Sequence, residues 1–600
     1  MLLRWISEQS PWFRKNEDRL RIATNIIIFT LSLIAFIVAI WDTGFFQSVM
    51  LQHRIDHFYK VYFAFNGLLY VLRSLFFLKE RKSSIVSLTN LVLGALLLFE
   101  FSLSLILGKP YILSPLLHLP PVYKSLAVLL FIFEFSRLDL FRFLALLNPP
   151  QIFIVSFGSL IITGALFLMM PQATTQPLRF IDAFFTSTSA VCVTGHIVVD
   201  TATRFTLYGK SVILVLLQLG GLGIMTFTSF FAVFFKGTQS FREKQILKEW
   251  LSDPNLSGIK RTLSKIVLFV FMAEAAGTLF IYLSTDPALF EGSQRFRFAV
   301  FHAISAFCNA GFSTLTDGIY DFRVRSNIPF LYIMSGLIVL GGLGFPVVLN
   351  VYEFFKAKIR NRIEQRSRRY RYVPSFGLIN INSRIVLLTT AFLIILGAAA
   401  FFLFENNHTL AGKATGEKIA VSILSSVTPR TAGFNAVSMS MITLPTIMLT
   451  ILLMWIGASP VSTGGGIKTT TFAMAIINMF KIIKGKDRID IFQREIEPGA
   501  VNRAFAIMFF SFIILGIGSM IIYLIEPGQG LIKIVFECFS AYGTVGLSLG
   551  ITPTLTTASK MIIILLMFLG RMGTITLLMV FISQPKSRPY RFPSDTILIT

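Results

Sequence analysis

The sequence predicts an all-α polytopic membrane protein of about twelve transmembrane helices, with four helix–pore loop–helix repeats behind an N-terminal four-helix block. Three observations carry this. The chain is 54% hydrophobic and 14% charged, with 62 Phe in 600 residues and a mean hydropathy of +0.72. Soluble globular chains are not that apolar. The apolar residues fall in runs near the ~20 residues that a membrane helix needs. Finally, a short small/polar segment ending in glycine is written four times, at Ser189–Gly195, Ser305–Gly311, Ser426–Gly433 and Ser540–Gly546. Successive closing glycines lie 116, 122 and 113 residues apart, the mark of one unit repeated.

Met1 to Leu20 form a polar and aromatic lead-in of mixed charge, without the pattern of a cleavable signal peptide. Four apolar segments follow, Arg21–Trp41, Phe58–Leu78, Ser84–Leu107 and Val122–Leu147, and define a block over residues 1–148. The basic connection Lys79–Lys82 puts that link, and hence the N-terminus, in the cytoplasm, with Arg137 and Arg142 near the inner end of the fourth helix. The run Leu68–Arg73, with Arg81, Lys82, Asn90 and Leu91, resembles the second and third helices of a voltage-sensor-like bundle. The fourth helix lacks an arginine at every third position, and Asn66 and Asn90 stand where acids are expected. Voltage sensing needs several charges in the field, so the block reads as a structural or docking bundle.

Pro149-Pro150 opens an ion-transport domain over 149–600, with repeats at about 149–240, 260–360, 380–485 and 500–584. Its first helices read as Gln151–Met170, Thr262–Leu283, Ser383–Phe404 and Ala504–Ile525. Its second helices read as Val212–Phe235, Phe330–Tyr352, Leu449–Ile477 and Ala558–Ile582. A Ser-Ala pair begins six residues before the glycine in units one, two and four; the third, with Ser426 one place earlier, is a looser copy. Basic residues collect between the repeats, from Lys236 to Lys265, Lys356 to Arg371 and Lys481 to Arg488, and in the tail from Lys586 to Arg591. These segments are expected in the cytoplasm. They account for the net charge of +24 without a nucleic-acid partner. Asp200, Asp317, Asp321, Glu405 and Glu526 fall on the opposite face, as a mildly acidic mouth or as scattered surface acids.

One such loop would be an ordinary external turn. Four around one axis make one central pore, because glycine reaches positive φ cheaply and a ring of carbonyls replaces the water around a dehydrated cation. The filter candidates are Val193, Thr194 and Gly195; Asn309, Ala310 and Gly311; Thr431, Ala432 and Gly433; and Thr544, Val545 and Gly546, with the ion held by their backbone carbonyls. The third repeat interrupts its second helix at Gly457–Thr471, where Pro460, Gly464, Gly465 and Gly466 and several hydroxyls cannot stay helical. Unwound backbone at membrane depth must be buried in protein or line a water-filled cavity, so this stretch is a gate candidate. Its residues are Gly457, Ser462, Thr463, Gly464, Gly465, Gly466 and Lys468, with the intramembrane Arg571 as partner. Gly220-Gly221-Leu222-Gly223 and Gly341-Gly342-Leu343-Gly344 recur at related offsets and read as close-packing sites. The Gly464–Thr469 run lacks the spacing of a nucleotide phosphate loop. Cys192, Cys308, Cys538 and six scattered histidines show no disulfide or metal pattern. No catalytic constellation and no covalent cofactor are expected.

From Pro149 to Ile582 the chain resembles the Trk/Ktr/HKT cation transporter superfamily, nearest its bacterial KtrB and TrkH subunits. The resemblance rests on the four glycine loops, the Thr431–Asn435 string, the Ser462–Thr469 run and Arg571. It implies passive potassium uptake through a gated pore, in a multi-pass protein of the cell inner membrane with both termini cytoplasmic. It also implies a homodimer among membrane lipids and a cytosolic ring of KtrA- or TrkA-type nucleotide-binding regulatory subunits. Relatives with serine at the first filter glycine tend to admit sodium, so Gly195 favours potassium; sodium stays open as an activator. The alternative is a Na+- or H+-coupled cation symporter, which would need a mid-membrane carboxylate. Glu100, Glu134 and Glu274 are the candidates.

Overall fold

The computed structural model describes residues 11–77, 84–106, 122–136, 149–223, 259–290, 292–366, 379–486 and 488–573. The expectations for 79–82, Arg137, Arg142, most of the basic links and the tail lie outside them.

The N-terminal block consists of α1 (Pro11–Gly44), α2 (Val49–Phe77), α3 (Ser84–Ile106) and α4 (Val122–Ser136). Helix α1 begins ten residues earlier than expected, inside the polar lead-in. The block has its own core, including Ile28, Ala35, Tyr59, Tyr70 and Leu130. Its buried charges are paired, as a low-dielectric interior demands. Arg73 meets Glu134 at 2.8 Å and Lys124 meets Asp42 at 2.6 Å. Glu134, a candidate coupling carboxylate in the sequence, is therefore taken up by Arg73, with Tyr70 Oη donating to it at 2.7 Å. The end of α1 is tied to the next unit, where Gln172 N donates to Gly44 O at 3.0 Å and its Nε2 to Phe45 O at 2.9 Å.

Four units follow, each a long helix, a short buried helix and an inner helix. The first is α5 (Pro149–Leu168), α6 (Phe180–Val191) and α7 (Leu207–Leu222). The second is α8 (Ile259–Ser284), α9 (Ser293–Phe307), α10 (Ile328–Gly342) and α11 (Phe345–Arg366). The third is α12 (Ile381–Glu405), α13 (Thr415–Val427), α14 (Leu444–Trp455) and α15 (Thr469–Ile483). The fourth is α16 (Pro498–Ile525), α17 (Leu531–Tyr542) and α18 (Thr557–Met572). Among the described residues, five helices are long and apolar enough to cross a membrane, and the bent pair α10–α11 makes up to six.

The long helices show two faces. On α12, Leu388, Phe392 and Ile395 are exposed while Val386, Thr390, Leu393 and Gly397 are buried. That is one apolar stripe for lipid and one packed face at helical spacing. Small residues let the short helices come close. Ser187 Oγ donates to Ile161 O at 2.7 Å and Ser426 Oγ to Ile394 O at 2.8 Å. A Cβ on Gly164 or Gly397 would stand 2.4 Å from those same hydroxyls.

The inner helices differ from the sequence reading, which ran three of them unbroken. Helix α7 is capped by Gly223 and α18 by Gly573, and Gly344 parts α10 from α11, with φ of 74°, 80° and 83° in that order. The α10–α11 bend is 102°. The Gly-Gly-Leu-Gly motifs thus do more than pack: their last glycine takes a positive φ, where a side chain would be strained.

Candidate ion pathway

Each short helix points its C-terminus at the same place. In units one, two and four it ends in a matched pair of bonds. Val193 N donates to Ala190 O at 3.1 Å and Thr194 N to Ser189 O at 2.7 Å. Asn309 and Ala310, then Thr544 and Val545, repeat this with 3.1 and 2.8 Å in each case. This is the Schellman closure, which needs a left-handed residue after the cap. Here that residue is Val193, Asn309 or Thr544, at φ of 56°, 59° and 50°. Unit three carries one extra residue, and its left-handed position is Thr431 at φ 81°. The sequence named these four residues as filter candidates but not their left-handed backbone, for which a non-glycine residue gives no local signal.

The four closing glycines lie side by side in cyclic order. A Cβ on Gly195 would be 2.5 Å from Ala310 O; on Gly311, 2.9 Å from Ala432 O; on Gly433, 2.1 Å from Val545 O; on Gly546, 2.2 Å from Thr194 O. Each glycine therefore abuts the carbonyl just before the next unit's glycine, and the series closes on itself. All four have φ between 70° and 91°. All twelve sequence-named filter residues are brought together here.

The Gly457–Lys468 stretch sits against this ring. Gly465 N donates to Thr544 Oγ1 at 3.0 Å, and a Cβ on Gly464 would be 2.1 Å from Thr431 Oγ1. The stretch also caps the broken helices. Ser459 N donates to Gly342 O at 3.1 Å, Thr463 N to Gly341 O at 3.3 Å and Gly466 N to Gly570 O at 3.2 Å. Arg571 donates to Thr463 O through Nη1 and to Gly220 O through Nη2. Lys468 Nζ folds back on Gly464 O at 2.7 Å, and Ser462 Oγ on Ser459 O at 2.6 Å. The eight sequence-named gate residues thus lie together, with Gly457 N donating to Ile467 O at 2.8 Å, and carbonyls at helix ends supply acceptors for Thr463, Gly466 and Arg571.

Four of the five acids read as a mouth or as scattered surface acids have local partners. Glu405 Oε1 accepts from Thr443 N at 2.9 Å and Thr446 Oγ1 at 2.6 Å, capping α14. Glu526 Oε1 accepts from Thr556 N at 2.8 Å at the start of α18. Asp200 caps the turn at Thr201, and Asp321 pairs with Arg323 at 2.8 Å. Sequence reasoning also passed over the buried contact of His196 Nδ1 with Glu537 Oε2, 3.3 Å apart and next to Gly195.

Long apolar helices around a closed ring of glycine loops define a membrane transport protein. More particularly, the chain belongs to the TrkH family of cation transport proteins, whose model matches residues 126–590. It is 36% identical to Ktr system potassium uptake protein B of Bacillus subtilis (strain 168) over 452 residues, covering 75% of this chain and 96% of that one. The corresponding protein of Vibrio alginolyticus is 34% identical over 453 residues, 75% and 95%. The potassium/sodium uptake protein NtpJ of Enterococcus hirae is 34% identical over 462 residues, 76% and 97%. The crystal structure of the potassium transporter TrkH from Vibrio parahaemolyticus matches 88% of this chain and 99% of its own at a TM-score of 0.57 and 15% identity, a likeness of fold.

Proposed function

We propose that the chain is the pore-forming subunit of a potassium uptake system. The named relatives support the substrate, and the closed order of the four glycines against their neighbours' carbonyls carries the mechanism. In each loop a left-handed residue and a left-handed glycine flank one of negative φ. That alternation supports successive carbonyls facing a common axis, where they replace the ion's water. Potassium enters from outside, sheds water at Val193–Gly195 and its three counterparts, and leaves inward when the Gly457–Lys468 stretch is displaced. The membrane potential supplies about 2.3 kcal/mol per charge per 100 mV.

The wider arrangement follows the same reading: about twelve spans, four repeats around one pore, and residues 1–148 as a docking bundle. Lys356, Lys358, Arg360 and Arg362 on α11 support a cytoplasmic position for its end, facing a nucleotide-binding regulatory ring under a homodimer. Glu274 favours a second reading, coupled symport. It is buried in α8, and its carboxylate accepts from Gln218 Nε2 at 2.9 and 3.1 Å. A proton-gradient dependence of uptake that Glu274→Gln abolishes would select it.

The primary test is potassium and sodium flux into proteoliposomes, wild type beside Gly195→Ser. The serine Cβ collides with Ala310 O at 2.5 Å, so the ring must open. Potassium preference should fall on the order of tenfold, about 1.4 kcal/mol. An unchanged preference removes Gly195 from the filter. Deleting Ser462–Gly466 should raise flux without any partner protein, and a deletion that leaves flux low denies the gate.

A further inference from the structure

We propose that Arg430 holds a small monovalent anion, of the chloride class, in a cavity behind the third loop. Three described cationic side chains are buried, and two of them, Arg73 and Lys560, face carboxylates at 2.8 Å. Arg430, 7% exposed and immediately before Thr431, does not. Its Nη2 reaches Thr390 Oγ1 at 3.4 Å, and its Nε has no hydrogen-bond partner. A guanidinium stays charged in any protein setting, and a buried charge demands a counter-charge or full hydrogen bonding.

The side chain lines a small cavity with Ile338, Val339, Val427, Thr390, Gly342 and Ala458. No carboxylate stands among these walls. The space suits one water-sized occupant, which excludes a phosphate headgroup or an organic acid. Water fits but leaves the charge uncompensated. A chloride is only slightly larger and offsets it, with Thr390 Oγ1 as a second donor.

Two walls belong to the interrupted segment and its support. Ala458 lies in that segment, and Gly342 O accepts from Ser459 N at 3.1 Å. Displacing the segment removes a wall of the cavity. Anion binding and the seated segment therefore favour one another, by an equal factor in each direction. This link, unlike the site itself, rests on the segment being a gate.

The test has two arms on the full chain. Crystals grown in sodium bromide should show an anomalous peak beside the Arg430 guanidinium, retained in Arg430→Lys, weakened in Thr390→Val and absent in Arg430→Gln. An ordered water there instead, or a peak that survives Arg430→Gln, overturns the site. In proteoliposomes with the same salt on both faces, rubidium flux should be on the order of fivefold higher in gluconate than in chloride, and Arg430→Gln should erase the difference. Equal flux in both salts overturns the link. Because the bromide arm involves no transport, its failure and the failure of the pore reading are distinguishable.

Discussion

Val193, Asn309, Thr431 and Thr544 occupy left-handed backbone, where a side chain costs roughly 1–2 kcal/mol. For three of them the side chain repays the strain with a tether. Thr544 Oγ1 accepts from Gly465 N at 3.0 Å, and the Asn309 amide hydrogen-bonds Thr431 Oγ1 at 3.1 Å. Thr544→Val keeps the shape and removes the acceptor, so basal flux should rise severalfold, and a flux at the wild-type level would deny the tether. Arg571→Gln loses the fork that spans Thr463 O and Gly220 O. It should raise basal flux more than Thr544→Val, and rubidium uptake by the two variants side by side checks the order. The Arg323 guanidinium holds the Asp321 carboxyl below its ordinary range. A lowered carboxyl stabilises the fold above its unfolded pKa, near 4, and stops doing so as pH falls through the lowered value. The melting-point gap between wild type and Asp321→Asn should therefore be full at neutral pH and close in acid; a gap independent of pH contradicts the pairing.

At the scale of elements, the inner helices meet the short helices through glycine. A Cβ on Gly220, Gly341 or Gly570 would lie 2.1, 1.9 or 1.8 Å from the carbonyl of Val191, Phe307 or Tyr542. Backbone atoms cannot yield as a flexible side chain does. Gly341→Ala and Gly570→Ala should each lower the thermal midpoint in detergent strongly, by a loss of about 2 kcal/mol or more. Gly158→Ala, with nothing within 4 Å of the added carbon, should be neutral or slightly stabilising. Equal behaviour at all three sites would deny the close approach. The spacing of these motifs was visible in the sequence. The helix ends at Gly223, Gly344 and Gly573 were not, because glycine inside an apolar run reads equally as packing or as a break.

Across the whole molecule, the first and last units are joined by contacts that span most of the chain. Lys560 of α18 pairs with Asp182 of α6 at 2.8 Å, both buried. Lys560→Met leaves the buried carboxylate only the exposed Arg179, whose Nε donates to Asp182 Oδ2 at 3.0 Å, and should cost about 3 kcal/mol, the low end for breaking a buried pair; adding Asp182→Asn should recover much of it. A double variant as unstable as the single one would show that the pair is not what matters. The sequence by itself determined the membrane class, the unit and its period, the interrupted segment and the identities of the glycines and Arg571. These are written in composition and spacing, which are local. Only the tertiary structure decided which unit abuts which, that Glu405 and Glu526 accept hydrogen bonds from the starts of α14 and α18, and that Arg571 bridges Thr463 to Gly220. Those outcomes depend on partners more than a hundred residues away or on a choice between equally polar neighbours. A chain's local pattern fixes which groups must be satisfied in a membrane, and packing fixes by whom.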